Sequence, residues 1–305
     1  MARRAGVRVP ASSANLGPGF DVLALALDLP LEVRAEETSR SIIRWEGEGG
    51  ADIPLGSRNL IVRAAQEPFA RWDRPLRGLT LEVRNAIPIG RGLGSSAAAI
   101  VAGITIGAKL RGLRMPPQRI LDLGLPLEGH GDNLAAAIFG GFCVVASGED
   151  GSRVHRLDWP ARWRAVLFIP SEVSPTEEGR RLVPARVPRA DVVHNLGRVA
   201  EWVVAVKTSN RAMLAGAMED RLHQPGRSRA YPYLNDMMAA ARQAGALGAA
   251  LSGAGGSVIA IADRQLEPIG KAMRGVADEY HLAGRTLQLR GSKEGASTLD
   301  VARPS

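Results

Sequence analysis

Between Pro88 and Ala98 the chain places Gly90, Gly92 and Gly94 at every second position and follows them with Ser95 and Ser96. Glycines so closely spaced let a backbone turn sharply and bring its N–H groups against a ligand, and the two hydroxyls fall where a helix N-cap is expected. The preceding run, 79–83, reads as a strand, and the following run, 97–102, is rich in helix formers, so the predicted order is strand, loop, helix. A helix start of this kind offers unpaired N–H donors and the positive end of its dipole, which suits a phosphate. No Lys precedes the serines and no acidic partner follows about 20 positions on, which separates the loop from P-loop and dinucleotide-binding turns.

A second group is compact: Glu128, His130, Asp132 and Asn133 bring two carboxylates, an imidazole and an amide together. His130 has no partner at zinc-ligand spacing, so it reads as a hydrogen-bonded structural residue. Asn15, Gly17 and Gly19 lie in a small-residue stretch, 11–19, read as a loop with Pro10 and Pro18 fixing its ends. Ser252 to Ser257 forms a further glycine-rich loop containing Gly253, Gly255 and Gly256. Arg180 and Arg227 read, from spacing alone, as solvated surface charges.

The elements that must position these groups follow from periodicity. Strands are expected over 7–9, over 31–44 with a turn at 38–40, and over 154–157, 165–169, 258–262 and 286–290; 22–29 suits a strand or a buried helix. Helices are expected from Ser57 through Arg71, over 118–125 and over 271–280. Another spans 191–207, where Val192, Leu196, Val199, Trp202, Val203 and Val206 recur at helical spacing and are assigned to packing. Residues 295–305 read as a loose tail. The composition changes near Trp159 and Pro160, dividing the chain into domains 1–158 and 159–305.

The 305 residues are 45% hydrophobic, enough for one large or two ordinary domains with a buried core. No run approaches the roughly 20 apolar residues of a membrane span and no signal-peptide apolar stretch follows the N-terminus, so a cytoplasmic protein without a membrane partner is expected. The single Cys143, between Phe142 and Val144, reads as a small core residue. A net charge of +8 would fit a nucleic-acid binder, but the basic residues form no dense stripe and aromatics are 4%, leaving little to stack on bases. No nucleic-acid partner is expected.

Residue for residue, Pro88, Ile89, Gly90, Arg91, Gly92, Leu93, Gly94, Ser95, Ser96, Ala97 and Ala98 resemble the phosphate-binding loop of the GHMP small-molecule kinases. That family is named for galactokinase, homoserine kinase, mevalonate kinase and phosphomevalonate kinase. Further stretches follow in the family's order between Val7 and about Asp263. Those at 13–21, 128–133 and 222–227 resemble the branch that phosphorylates homoserine, with Gly131 where Pro is usual. The stretch at 176–184 resembles a substrate-side segment, with Gly179 and Val183 for the usual Ala and Leu and with Arg181 as an adjacent surface residue; 252–257 resembles the family's third motif, with Gly256 for Pro.

The resemblance implies an α+β fold of two domains. The first is ribosomal-protein-like with a left-handed βαβ crossover, an exception to the usual hand, and the second is ferredoxin-like. It implies ATP along 88–98, with Asn59 on the adenosine side, and Mg²⁺ held by Glu128 and Ser96, an oxygen set that suits that ion. Asn15 and Asp21 would face the amino-acid substrate, Asp132 its hydroxyl, and Arg180 and Arg227 its carboxylate. Asn133 stands where mevalonate-type relatives carry a catalytic Asp, so Asp132 is left either as a base or as a positioning group. Ser252, Gly253 and Gly255 would close the site from the second domain. The implied activity is transfer of the ATP γ-phosphoryl to the side-chain hydroxyl of L-homoserine, giving O-phospho-L-homoserine on the way to threonine, by a possible homodimer. Alternatives are a kinase of another small alcohol, such as mevalonate or a sugar, and a nucleotide-binding module without catalysis.

Overall fold

A computed structural model of the chain describes residues 4–50, 53–69, 76–149, 151–173 and 176–300. In the first half, β1 (Arg4–Asn15) pairs antiparallel with β2 (Gly19–Glu37), and the register slips at Pro10 and Ala11, where Pro10 faces Pro30. Two prolines lack the N–H groups the ladder needs, so pairing breaks and the strands bend there. β3 (Ile42–Gly47) lies parallel to β4 (Leu79–Asn85), and α1 (Leu60–Ala64) falls between them in the chain. α2 (Ser95–Leu110), α3 (Pro117–Glu128) and α4 (Asp132–Phe139) follow, then the hairpin of β5 (Phe142–Gly148) and β6 (Gly151–Leu157), which joins the sheet through β2.

The second half opens with β7 (Arg164–Pro170), continues through α5 (Thr176–Arg181), α6 (Arg189–Thr208), α7 (Leu214–Ala217), α8 (Gln224–Arg227) and α9 (Leu234–Gln243), and reaches β8 (Gly248–Leu251) and β9 (Val258–Ala262). α10 (Leu266–Glu279), β10 (Gly284–Arg290) and the short β11 (Ser297–Thr298) complete it. The sheet order is β10-β7-β9-β8, antiparallel throughout, which is the ferredoxin-like arrangement. Val166 and Phe168 face Met237, Ile269 and Met273 of α9 and α10, whereas Ala165, Leu167 and Ile169 enter the main core. Both faces of β7 are covered, which is why it reads as an unbroken apolar run instead of an alternating one.

The two halves meet around an aromatic cluster. Trp202 of α6 lies 5.4 Å from Phe142 of β5 and 6.2 Å from Trp159, ring centre to ring centre, and is fully buried. Its indole N–H donates to the Leu16 carbonyl at 2.9 Å, tying α6 to the turn between β1 and β2. Cys143 is buried as expected, and burial pushes its thiol up to about 12. Among the described residues no helix is long and apolar enough to cross a membrane.

Several local expectations are corrected. The loop expected over 11–19 is strand as far as Asn15, because 11–15 pair with β2; the buried Ser12 bonds Asn133 of α4 and the buried Ser13 bonds Ser252 of the second half. The helix expected to reach Arg71 ends at Ala64, and residues 70–75 lie outside the described residues. The helix expected over 118–125 extends to Glu128 and stops at Gly129, which takes a left-handed φ of 87°. The last helix begins earlier, at Leu266. The presumed tail contributes β11, which pairs with Val7 and Arg8 of β1; residues 301–305 lie outside the described residues. Val192 and Leu196 do not pack: they are 43% and 65% exposed on α6.

Replacing Trp202 by Ala removes a large side chain from a closed core and is expected to destabilise the protein by roughly 3–5 kcal/mol in urea denaturation. Trp202→Phe keeps most of the ring packing but leaves the Leu16 carbonyl without its donor, and is expected to cost about 1–3 kcal/mol.

Candidate active site

A cavity of about 350 Å³ opens where the two halves meet, lined by residues from β1, α1, the loop before α2, α3, α4, α5, α8 and the loop after β8. Its floor is the glycine loop. Gly90, Gly92 and Gly94 all take left-handed φ values, 68°, 74° and 69°. Gly94 is the N-cap of α2 and supplies no side-chain acceptor, so the expectation that a serine caps this helix is corrected: Ser95 and Ser96 are already inside it. The first-turn N–H groups, left without a capping side chain, face the cavity with the positive end of the helix dipole.

The loop is held from the second half. A Cβ on Gly92 would lie 2.1 Å from the Ser252 carbonyl oxygen, and the Ser252 hydroxyl donates to the Gly92 carbonyl at 2.7 Å. Gly253 N–H donates to the Ala14 carbonyl at 3.1 Å, and the Gly253 carbonyl accepts from the Asn15 amide at 2.9 Å and from Arg227 at 3.0 Å. Two departures from the family pattern have a structural reason here. Gly256 has a φ of 77°, which proline cannot adopt, and a Cβ on Gly179 would stand 2.4 Å from the Ala254 carbonyl oxygen, so α5 seats directly on this loop.

On one wall the Ser96 hydroxyl donates to Glu128 Oε1 at 2.7 Å. Burial raises the Glu128 carboxyl above the ordinary carboxylate value, against the Ser96 hydrogen bond, which lowers it. Next to it, His130 Nδ1 donates to Asp132 Oδ1 at 2.5 Å, and the same oxygen accepts the Asn133 backbone N–H at 2.7 Å. Burial pulls His130 down, but its bond to Asp132 and the charges of Asp132 and Glu128 outweigh this and hold its pKa above the usual value. Asn133 Oδ1 accepts from the Ser12 hydroxyl at 2.8 Å.

The arginines stand beside this acidic group. Arg180 pairs with Asp21 in a two-pronged bond of 2.6 and 3.1 Å. Arg227 is buried, not a solvated surface charge, and donates to the Gly179 carbonyl at 2.9 Å and to His223 Nδ1 at 3.0 Å. His223, fully buried, donates its Nε2–H to the Gly17 carbonyl at 2.7 Å and accepts from Arg227 at Nδ1, which fixes a neutral ring. The Phe20 ring centre is 5.5 Å from each guanidinium carbon. Asn15, Leu16 and Asp21 all have positive φ, an unusual concentration for residues other than glycine.

The cavity thus gathers Asn15, Asp21, Asn59, Ile89, Gly90, Gly92, Leu93, Gly94, Ser95, Ser96, Glu128, Asp132, Asn133, Arg180, Arg227 and Gly253 from the residues singled out in the sequence. Four of the loop residues do not line it. Pro88, Ala97 and Ala98 are buried behind the loop, and Arg91 donates to the Pro170 and Ile89 carbonyls at 2.8 and 2.7 Å, anchoring the loop to the end of β7. Ser252 and Gly255 also stand behind the lining, Gly255 against the Tyr231 hydroxyl. Asn59 caps α1 by accepting from the Ile61 N–H at 2.9 Å. Sequence reasoning missed Trp45, Ile53 and Pro54, apolar lining residues without a motif, and underrated His130, whose partner Asp132 stands only two positions away.

Known proteins resemble the chain in the same regions. Residues 59–141 match the family model for the GHMP kinases N terminal domain, and residues 202–278 that for the GHMP kinases C terminal. A homoserine kinase of Moorella thermoacetica is 44% identical over 269 residues, 88% of this chain and 90% of that one. Another, of Parasynechococcus marenigrum, is 39% identical over 94% of each chain. The crystal structure of homoserine kinase from Cytophaga hutchinsonii superposes with a TM-score of 0.87 at 27% identity, covering 98% of both chains.

The buried His223 sets a pH dependence. Burial lowers its pKa to about 4, against the partly compensating charge of Asp220; Arg227 also lowers it. Between that value and the unfolded value of about 6.5 the unfolded chain binds a proton that the native protein refuses, so stability rises with pH across this window. The contribution, on the order of 3 kcal/mol, is present above about pH 6.5 and is lost as the pH falls toward 4. In urea denaturation at stepped pH, His223→Gln is expected to be less stable at pH 7 and to show a flatter dependence between pH 5 and 6.5 than the unaltered protein.

Proposed function

The chain belongs to the GHMP kinase family, and from that premise we propose that it transfers the γ-phosphoryl group of ATP to the side-chain hydroxyl of L-homoserine, forming O-phospho-L-homoserine and ADP. One observation carries the reading: a phosphate-suited helix start, a group of carboxylates and both charges needed for an α-amino acid converge in a single cavity. The triphosphate lies against the N–H groups at the start of α2, with the adenosine toward Trp45, Pro54 and Asn59.

The donor set fits Mg²⁺. Ser96 and Glu128 offer hard oxygens already in contact, and burial leaves the Glu128 carboxyl reluctant to ionise without a cation beside it. When bound there, the ion would neutralise phosphate charge. The protein's own part is alignment, since phosphoryl transfer through a loose transition state asks chiefly for positioning and charge compensation. Asp132 is fixed by His130 and by the Asn133 N–H, and it receives the acceptor hydroxyl; Asn133 is held in turn by Ser12. Asp21 and Asn15 take the ammonium end, and Arg180 and Arg227 the carboxylate.

Coupled detection of ADP with L-homoserine, mevalonate, galactose and shikimate tests the assignment. Release well above the acceptor-free rate is expected with L-homoserine alone, and its absence there overturns the reading. Glu128→Gln is expected to lower kcat by roughly 10²-fold or more and to raise the Mg²⁺ concentration at half-maximal rate. Arg227→Gln is expected chiefly to raise KM for L-homoserine while leaving KM for ATP nearly unchanged.

A further inference from the structure

One ion pair lines the cavity, and its members come from different halves of the molecule. Asp21 stands near the start of β2 and Arg180 in the last turn of α5, and the guanidinium meets both carboxylate oxygens. Both side chains line the cavity and are about one-third exposed, at 34% and 36%. Asp21 keeps a left-handed φ of 58°, with its backbone N–H held by Asn15 Oδ1 at 3.1 Å. It is also one of a close group: Asp21, His130 and Asp132 have ligand-type atoms all within 4.8 Å of one another. On the other side, Arg180 and Arg227 approach the same Phe20 ring.

These are the charges assigned above to opposite ends of the acceptor, yet here each satisfies the other. We propose that Arg180 and Asp21 form an exchangeable ion pair which a zwitterion replaces group for group, its ammonium taking the place of Arg180 on Asp21 and its carboxylate the place of Asp21 on Arg180. The proposal rests on the homoserine reading of the site and adds to it a source of selectivity. A partly exposed pair is weak enough to be exchanged. An acceptor bearing only a carboxylate draws Arg180 away and leaves Asp21 facing Asp132 with no new cation. One bearing only an ammonium leaves Arg180 unpaired beside Arg227. An uncharged alcohol leaves the pair intact and strands nothing. The cavity therefore penalises a lone charge more than the absence of both, because unpaired charges at a partly desolvated site are costly.

The test is a four-acceptor cycle on the unaltered enzyme with saturating ATP and Mg²⁺, reading kcat/KM by ADP release. Its acceptors are L-homoserine, 4-hydroxybutanoate without the ammonium, 3-aminopropan-1-ol without the carboxylate, and propan-1-ol without either. Exchange predicts a loss of roughly 10²-fold or more for each singly charged acceptor, with propan-1-ol within about tenfold of the worse of the two. Losses that multiply, so that propan-1-ol falls by about the product of the two, overturn the exchange while leaving the acceptor assignment standing. No ADP release with L-homoserine overturns the assignment and the exchange together. As a second measurement, Asp21→Asn abolishes the pair; it is expected to raise kcat/KM for 4-hydroxybutanoate several-fold while lowering it for L-homoserine. A fall with both acceptors overturns the proposal.

Discussion

Two glycine-bearing loops from different halves of the chain touch backbone to backbone at Gly92 and Ser252, with no room for a side chain between them. A Cβ at Gly92 would stand 2.1 Å from one carbonyl oxygen and 2.8 Å from a second, at Gly255. The contact is locked by the Ser252 hydroxyl on the Gly92 carbonyl and by the Gly253 N–H on Ala14. The contact ties the glycine loop before α2 to the loop after β8, and the cavity groups anchored to either are positioned relative to both. Asn15 and Arg227 both bond the Gly253 carbonyl, so two cavity-lining side chains from different halves are held by the same atom.

Around that contact, the buried charged groups that line the cavity have defined partners. His223 is held neutral and links Arg227 to the Gly17 carbonyl; Asp220 accepts the backbone N–H groups of Leu222, His223 and Gln224 at 2.7–3.0 Å and organises the segment that carries both. A guanidinium buried without such a framework would be costly, and its partners also dictate its direction. The acidic side follows the same logic, with Asp132 fixed by a ring nitrogen and a backbone N–H. Positioning of this kind suits a reaction whose demands are alignment and charge compensation.

Much of the site was legible in the sequence where chemistry depends on local geometry. Gly90, Gly92 and Gly94 announce left-handed backbone, because no other residue adopts it so cheaply, and each has it. The acidic group at 128–133 is local too, spanning the end of α3 and the start of α4. Other features were hidden because their causes are distant. Arg91 sits amid the glycine loop yet spends its guanidinium on carbonyls that include one at the end of β7, and Arg227 looks like a surface charge until Gly179, Gly253 and His223 close over it. Val192 and Leu196 share the helical spacing of Trp202, but α6 buries only one side and those two lie on the other.

The sequence by itself determined the left-handed turns of the glycine loop, the strand–loop–helix order around it, and the set of charged and hydroxyl groups available for chemistry, since these depend on residues within a turn or two of each other. Tertiary structure alone decided which of those groups face one another. The pairing of Asp21 with Arg180 joins residues 159 positions apart, and the Ser96 hydroxyl finds Glu128 across 32. Such contacts depend on how the two sheets pack around Trp202 and on the seating of one glycine loop upon another, and no local pattern in a chain encodes distances of that kind.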